Sequence, residues 1–130
     1  MTNETAPAVG VDVETAATLA AVARFNAAFG QHDVPAIMAA MTKDCVFEDT
    51  PPPDGRRYAG QAAVRAYWEQ FFHASPGAAF AEEECFAAGD RCVVRWRYRW
   101  EADGAGHVRG VDVFRVRDGQ VAEKLAYVKG

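Results

Sequence analysis

Apolar and polar positions recur along this chain with two different periods, and the change falls near Ala78. Between Glu14 and Phe29, the residues Leu19, Val22, Phe25 and Phe29 share one helical stripe, which predicts an amphipathic helix with Gly30 as its stop. Asp33 is placed to cap a second, short helix with Pro35 in its first turn and Ile37, Met38 and Met41 on its buried side. A short strand from Cys45 to Asp49 follows, then a proline loop reaching Gly60. Val64, Tyr67, Trp68, Phe71 and Phe72 mark the buried stripe of a third helix, about Gln61 to His73, which Ser75-Pro76-Gly77 ends. From Ala78 onward the period is two. Four strands are predicted at about 79–88, 91–101, 107–117 and 120–128, separated by Gly89-Asp90, by the DGAG of residues 103–106 and by Asp118-Gly119. Helices first and an antiparallel meander last predict an α+β fold, with the helices on one face of a curved sheet.

Composition narrows the class of protein. The 130 residues, 50% of them hydrophobic, suffice for one core, so a single domain is expected over 14–130 behind a loose tail at 1–13. A formal charge of −4 gives no basic footprint for nucleic acid or for acidic membranes. Cys45, Cys85 and Cys92 are odd in number, lack CxxC spacing and each sit in a strand-like apolar run. They read as reduced core residues, not as a disulfide frame or a zinc site. The start of the chain has neither a basic segment nor an apolar core of a secretory signal. No apolar run approaches the ~20 residues of a membrane span. A cytoplasmic protein without metal, nucleic-acid partner or membrane partner is therefore expected.

Strand parity sorts the chemistry. In RCVVRWRYRWEA, Cys92, Val94, Trp96, Tyr98 and Trp100 face one way, while Arg91, Val93, Arg95, Arg97 and Arg99 face the other. The aromatic residues therefore cannot stack on bases held by those arginines. Glu82 to Glu84 are expected near Arg95 and Arg97, as cross-strand charge pairs on an exposed or dimer-forming face. A two-residue Asp118-Gly119 turn pairs Arg117 with Gln120 and so sets Asp112 opposite Leu125. Asp112 then shares a face with Phe114, Val116, Val121, Leu125 and Tyr127, and Arg115, Arg117 and Lys124 fall on the reverse face. A carboxyl in such surroundings must find donors or keep its proton. Whether that face is also the face of Trp96 and Tyr98 depends on the register of the 101–107 connection, which parity leaves open. In the first strand, Cys45, Phe47 and Asp49 face inward, and Val46, Glu48 and Thr50 face out. Glu48 and Asp49 thus point apart and cannot share a proton.

CVFEDTPPP at 45–53, YAGQAAVRAYWEQFF at 58–72 and VDVFRVRDGQVAEKLAYV at 111–128 carry a resemblance. Over about residues 15–128 the chain resembles the nuclear transport factor 2-like superfamily, in its ketosteroid isomerase and SnoaL-like branch. The resemblance implies a cone-like α+β roll: three N-terminal helices packed on a curved, mostly antiparallel sheet, as in cystatin-like folds. It also implies a cofactor-free acid–base isomerase of the steroid delta-isomerase type, acting on an apolar carbonyl substrate and forming a homodimer. In that scheme Asp49 matches the proton-shuttling base, and Asp112 matches the protonated acid that donates to the developing enolate oxygen. Phe25, Phe29, Phe47, Tyr67, Trp68, Trp96, Tyr98 and Phe114 are the expected pocket walls. Phe25 stands where such isomerases carry a first-helix Tyr, so Tyr67, Tyr98 and Tyr127 are the hydroxyls available to replace it. His32, His73 and His107 are expected at the surface. A non-catalytic small-molecule-binding or interaction domain, or a polyketide cyclase using the same two acids, are the alternatives.

Overall fold

The computed structural model describes residues 11–100 and 106–129. Most of the expected 1–13 tail, residue 101 of the predicted second meander strand and most of the DGAG connection lie outside the described residues. Helix α1 (Val13–Gly30) starts at Asp12, whose carboxylate accepts the Thr15 N–H at 2.7 Å. Gly30 is its last residue, and the left-handed position beyond it is taken by His32 at φ 56°. Helix α2 (Val34–Ala39) is capped by Asp33 through the Ala36 N–H at 3.1 Å, with Pro35 in its first turn. Met41 leaves the helix and opens strand β1 (Met41–Glu48), which is longer than the Cys45–Asp49 strand expected from sequence. Strand β2 (Arg57–Ala59), inside the predicted proline loop, pairs antiparallel with β1. Helix α3 (Gln61–Ala74) and strands β3 (Ala79–Ala88), β4 (Arg91–Arg99), β5 (His107–Arg117) and β6 (Gln120–Val128) complete the chain. No helix among the described residues is long and apolar enough to cross a membrane.

The six strands form one sheet in the order β2-β1-β6-β5-β4-β3, with β1 parallel to β6 and every other pair antiparallel. The helices cover one face. Phe25 and Phe29 from α1, Ile37 and Met38 from α2, and Val64, Trp68 and Phe72 from α3 bury themselves against Cys45, Phe47, Val94 and Phe114. Cys45 and Cys92 belong to this interior, but Cys85 faces solvent on the edge strand β3, where every residue but one is exposed.

Two single-residue bulges correct the parity expected from sequence. On β5–β6, Arg115 pairs with Glu123 and Val116 with Val121, so Ala122 is an extra residue with no partner. Past it every side chain of β6 changes face. Asp112 therefore lies opposite Ala126 instead of Leu125. Lys124, expected outside, turns inward and is 5% exposed, while Leu125 and Tyr127 turn outward. On β3–β4 the extra residue is Glu83. Glu84 meets Arg95 at 3.0 Å, but Glu83 reaches across to Arg109 at 2.9 Å, and Arg97 enters no ion pair among the described residues. The helix-free face then carries an apolar row across four strands: Phe86 opposite Val93, Val93 opposite Val113 and Val113 opposite Leu125.

Candidate functional site

A cavity of about 210 Å³ opens between the helices and the concave sheet face. Its aromatic wall follows from two periodicities meeting. Tyr67, Trp68 and Phe71 come from one stripe of α3, and Trp96 and Tyr98 from alternate positions of β4. Phe47 packs between the two layers, 4.3 Å from Trp68 and 4.8 Å from Tyr67 between ring centroids. Of the residues expected from sequence, Asp49, Asp112, Phe29, Phe47, Tyr67, Trp68, Trp96 and Tyr98 all line this cavity. Phe25 and Phe114 do not. Both are 0% exposed and pack on each other at 5.7 Å in the core behind it. Tyr127 stands on the outer face and is 54% exposed. Tyr67 is the better-placed hydroxyl: burial, reinforced by the Asp49 charge, pushes its pKa up to about 12, so it keeps its proton. His32 stacks on Phe72 at 4.2 Å and bonds the Ala78 carbonyl through Nε2 at 3.0 Å, while His73 and His107 are exposed.

Lys124 is the site residue that parity misses. Its Nζ lies 3.7 Å from Asp112 Oδ2, with the two side chains only 7% and 10% exposed. The same Nζ stands 4.2 Å from the Phe29 ring centroid and 4.7 Å from that of Trp68. Burial raises the Asp112 pKa, against the Lys124 charge, which works to lower it. The Trp96 indole N–H also favours the ionised acid, although it does not reach full hydrogen-bond geometry. Burial likewise lowers the Lys124 pKa, and Asp112 only partly restores it. Each member of the pair is thus driven toward its neutral form. The only sequence signal for this arrangement is the small apolar doublet Val121-Ala122, which can bury both residues at one bulge.

Asp49 sits one residue past Glu48, which pairs with Leu125, so Asp49 is level with Ala126 on one side as Asp112 is on the other. Two strand spacings put the acids ~10 Å apart along this row. Asp49 is held firmly. Its Oδ1 accepts the Arg56 backbone N–H at 2.6 Å, and its Oδ2 accepts Arg56 Nε at 3.0 Å and Nη2 at 2.8 Å. Arg56 is itself 66% exposed and the Asp49 side chain 2%, so the clasp runs from the surface to a buried carboxyl group. Glu48 turns away, as parity requires, and pairs with Arg57 at 2.7 Å. Among the described residues, no group of three or more His, Cys, Asp or Glu side chains converges as metal ligands would. The Trp68 and Trp96 indole nitrogens are buried without a hydrogen-bond partner, leaving two donors unsatisfied in the cavity wall.

Helices closing over the concave face of a six-stranded, mostly antiparallel sheet define a mixed α+β protein of the NTF2-like, cystatin-like type. The chain belongs to the SnoaL-like domain family, whose pattern it matches over residues 22–124. An NTF2-like protein of unknown function from Mesorhizobium loti is 44% identical and superimposes with a TM-score of 0.80, over 92% of this chain and 96% of that one. A candidate ketosteroid isomerase from Kribbella flavida is 18% identical, with a TM-score of 0.77 over 90% and 81%. A candidate SnoaL-like polyketide cyclase from Jannaschia sp. CCS1 is 20% identical, with a TM-score of 0.76 over 91% and 89%. These last two share the fold. No functionally curated protein matches the sequence.

Proposed function

We propose that the cavity takes a small apolar carbonyl compound and moves a proton next to its carbonyl group, in an isomerase-type acid–base reaction. One observation carries this reading: an aromatic cavity is lined both by the buried Lys124–Asp112 pair and by the buried carboxyl group of Asp49. A carbonyl oxygen directed at the pair meets a donor whichever member holds the proton, and Tyr67 offers a second hydroxyl donor in the same wall. Donors placed where an enolate develops contribute ~10²–10³ each in rate. Asp49 accepts three hydrogen bonds, which leaves one of its roughly four lone-pair sites to receive a proton from carbon. General-base catalysis of this kind contributes ~10²–10⁴. Asp49 is thus the proposed base and Asp112, with Lys124, the proposed oxyanion donor.

The test is conversion of a 3-oxo-Δ5-steroid, and of a two-ring β,γ-unsaturated ketone, to the conjugated enone, followed by ultraviolet absorbance. Wild-type turnover is expected to fall by at least ~10² in Asp49→Asn, within the range for a general base. Equal rates in the two proteins would remove Asp49 from the chemistry. A second reading, a binding domain without catalysis, is favoured by the Arg56 clasp on Asp49 and by Phe25 in place of a pocket Tyr. It expects ligand affinity without turnover. Ring closure of a polyketide would use the same groups on a different carbonyl substrate. The apolar row Phe86–Val93–Val113–Leu125 supports one further proposal, that a second copy of this chain covers the outer sheet face.

A further inference from the structure

We infer that Lys124 is a nucleophile, which captures an aldehyde or ketone ligand as an imine and holds it covalently while the proton moves. The inference rests on the reading of the cavity as a carbonyl site and narrows its substrates to carbonyls open to attack by an amine.

Of the three lysines in the chain, Lys43 and Lys129 are exposed and Lys124 alone is buried. Its nearest charge, Asp112 Oδ2 at 3.7 Å, lies beyond a tight hydrogen bond, so the amine gives up no short contact when it turns to a ligand. Aromatic rings surround Nζ, and they have opposing effects. Their faces attract the ammonium. Removal from water favours the free amine and, against the pull of Asp112, lowers the Lys124 pKa. Lys124 and Asp112 also line a second opening of about 150 Å³ beside Asn26 and Glu82, so the pair is reached from two cavities.

The step balances with these two residues. The lone pair of neutral Nζ forms a bond to the carbonyl carbon, and the C=O π electrons move to oxygen. The proton on Asp112 passes to that oxygen, giving a carbinolamine. An N–H proton returns to the Asp112 carboxylate. The acid then protonates the hydroxyl, the C–O bond breaks, water leaves and a protonated C=N bond remains. That iminium acidifies the neighbouring C–H more strongly than a hydrogen bond to the ketone could. Asp49 lies on the neighbouring strand, two residues past the Phe47 that pairs with Lys124, and so faces the same cavity.

The probe is 2-naphthaldehyde at near-neutral pH, reduced with sodium cyanoborohydride and followed by peptide mass spectrometry. Fluorescence of Trp68 and Trp96 reports separately whether the cavity fills. One naphthylmethyl group is expected on Lys124, in clear excess over Lys43 and Lys129, since a lowered pKa leaves more of it as free amine. Lys124→Gln, which removes the nucleophile without leaving a permanent charge beside Asp112, should lose the adduct. A filled cavity with no adduct, or with adducts only on the amino terminus, Lys43 or Lys129, overturns the imine and leaves the carbonyl site standing. No fluorescence response and no adduct would overturn both.

Discussion

Lys124 and Asp112 face each other at 3.7 Å because one residue, Ala122, has no partner on the neighbouring strand. Without that bulge the two side chains would stand on opposite faces of the sheet, and Asp112 would face the cavity without Lys124 beside it. An ion pair this buried is not a stabilising device by default, since desolvation costs about as much as the attraction returns. The proposed function gives it a chemical role instead.

Breaking the pair from one side should be costly. Lys124→Met leaves Asp112 buried without its partner but able to keep its proton, so a loss smaller than the ~3–5 kcal/mol of an uncompensated buried charge is expected in urea denaturation. The double variant Lys124→Met/Asp112→Leu should recover most of that loss. If the single variant is as stable as wild type, the two groups do not interact in solution.

The pH dependence has a definite sign. Asp112 has a raised pKa in the fold, so its contribution is present at pH 3.8 and below and is lost as pH rises through the folded value. Lys124 has a lowered one, so its contribution is present above pH 10.5 and is lost as pH falls through the folded value. Relative to the Lys124→Met/Asp112→Leu double variant, wild type should therefore be least stable in the neutral range and regain ground toward both extremes. Melting temperatures of the two proteins across pH would show it, and a flat difference would contradict both shifts.

Gly110 lies opposite Trp96, and a Cβ there would meet the Trp96 ring at 2.5 Å and the Tyr127 carbonyl closer still. Gly110→Ala is expected to push the indole into the cavity, lowering affinity for an apolar ligand and costing ~1–3 kcal/mol from overpacking. Tryptophan fluorescence titration and thermal melting measure the two effects. Unchanged affinity would mean that Trp96 does not set the width of the site.

The outer face makes the fourth prediction. Val113 sits in the middle of the apolar row between Val93 and Leu125. Sedimentation at micromolar concentration should give a dimer for wild type and a monomer for Val113→Glu, with little change in melting of the monomer. A monomeric wild type would remove the self-association proposal.

How far the sequence could be read depended on where each strand stayed regular. The alternation of Cys45 and Phe47 alone aims Asp49 inward, and nothing between Val46 and Glu48 interrupts it. Asp112 kept its face with Phe114 and Val116 because β5 carries no extra residue. Lys124 lay beyond a bulge in β6, so the same counting rule returned the wrong face. Strand β2 went unseen because a three-residue segment after prolines has no period of its own; it exists through its ladder to β1. Phe25 and Phe114 show a different limit. Periodicity marks a residue as internal, but cannot divide the wall of a cavity from the core behind it.

By itself, then, the order of residues decided the helix-then-strand layout, the capping at Asp33, and the inward aim of both acids, all of which are local consequences of spacing and side-chain chemistry. Only the folded sheet decided that β1 lies parallel to β6, that Arg56 clasps Asp49 and that Lys124 turns in to Asp112. Those outcomes depend on register between segments distant in sequence, and a single unpaired residue is enough to reverse which side chains share an interior.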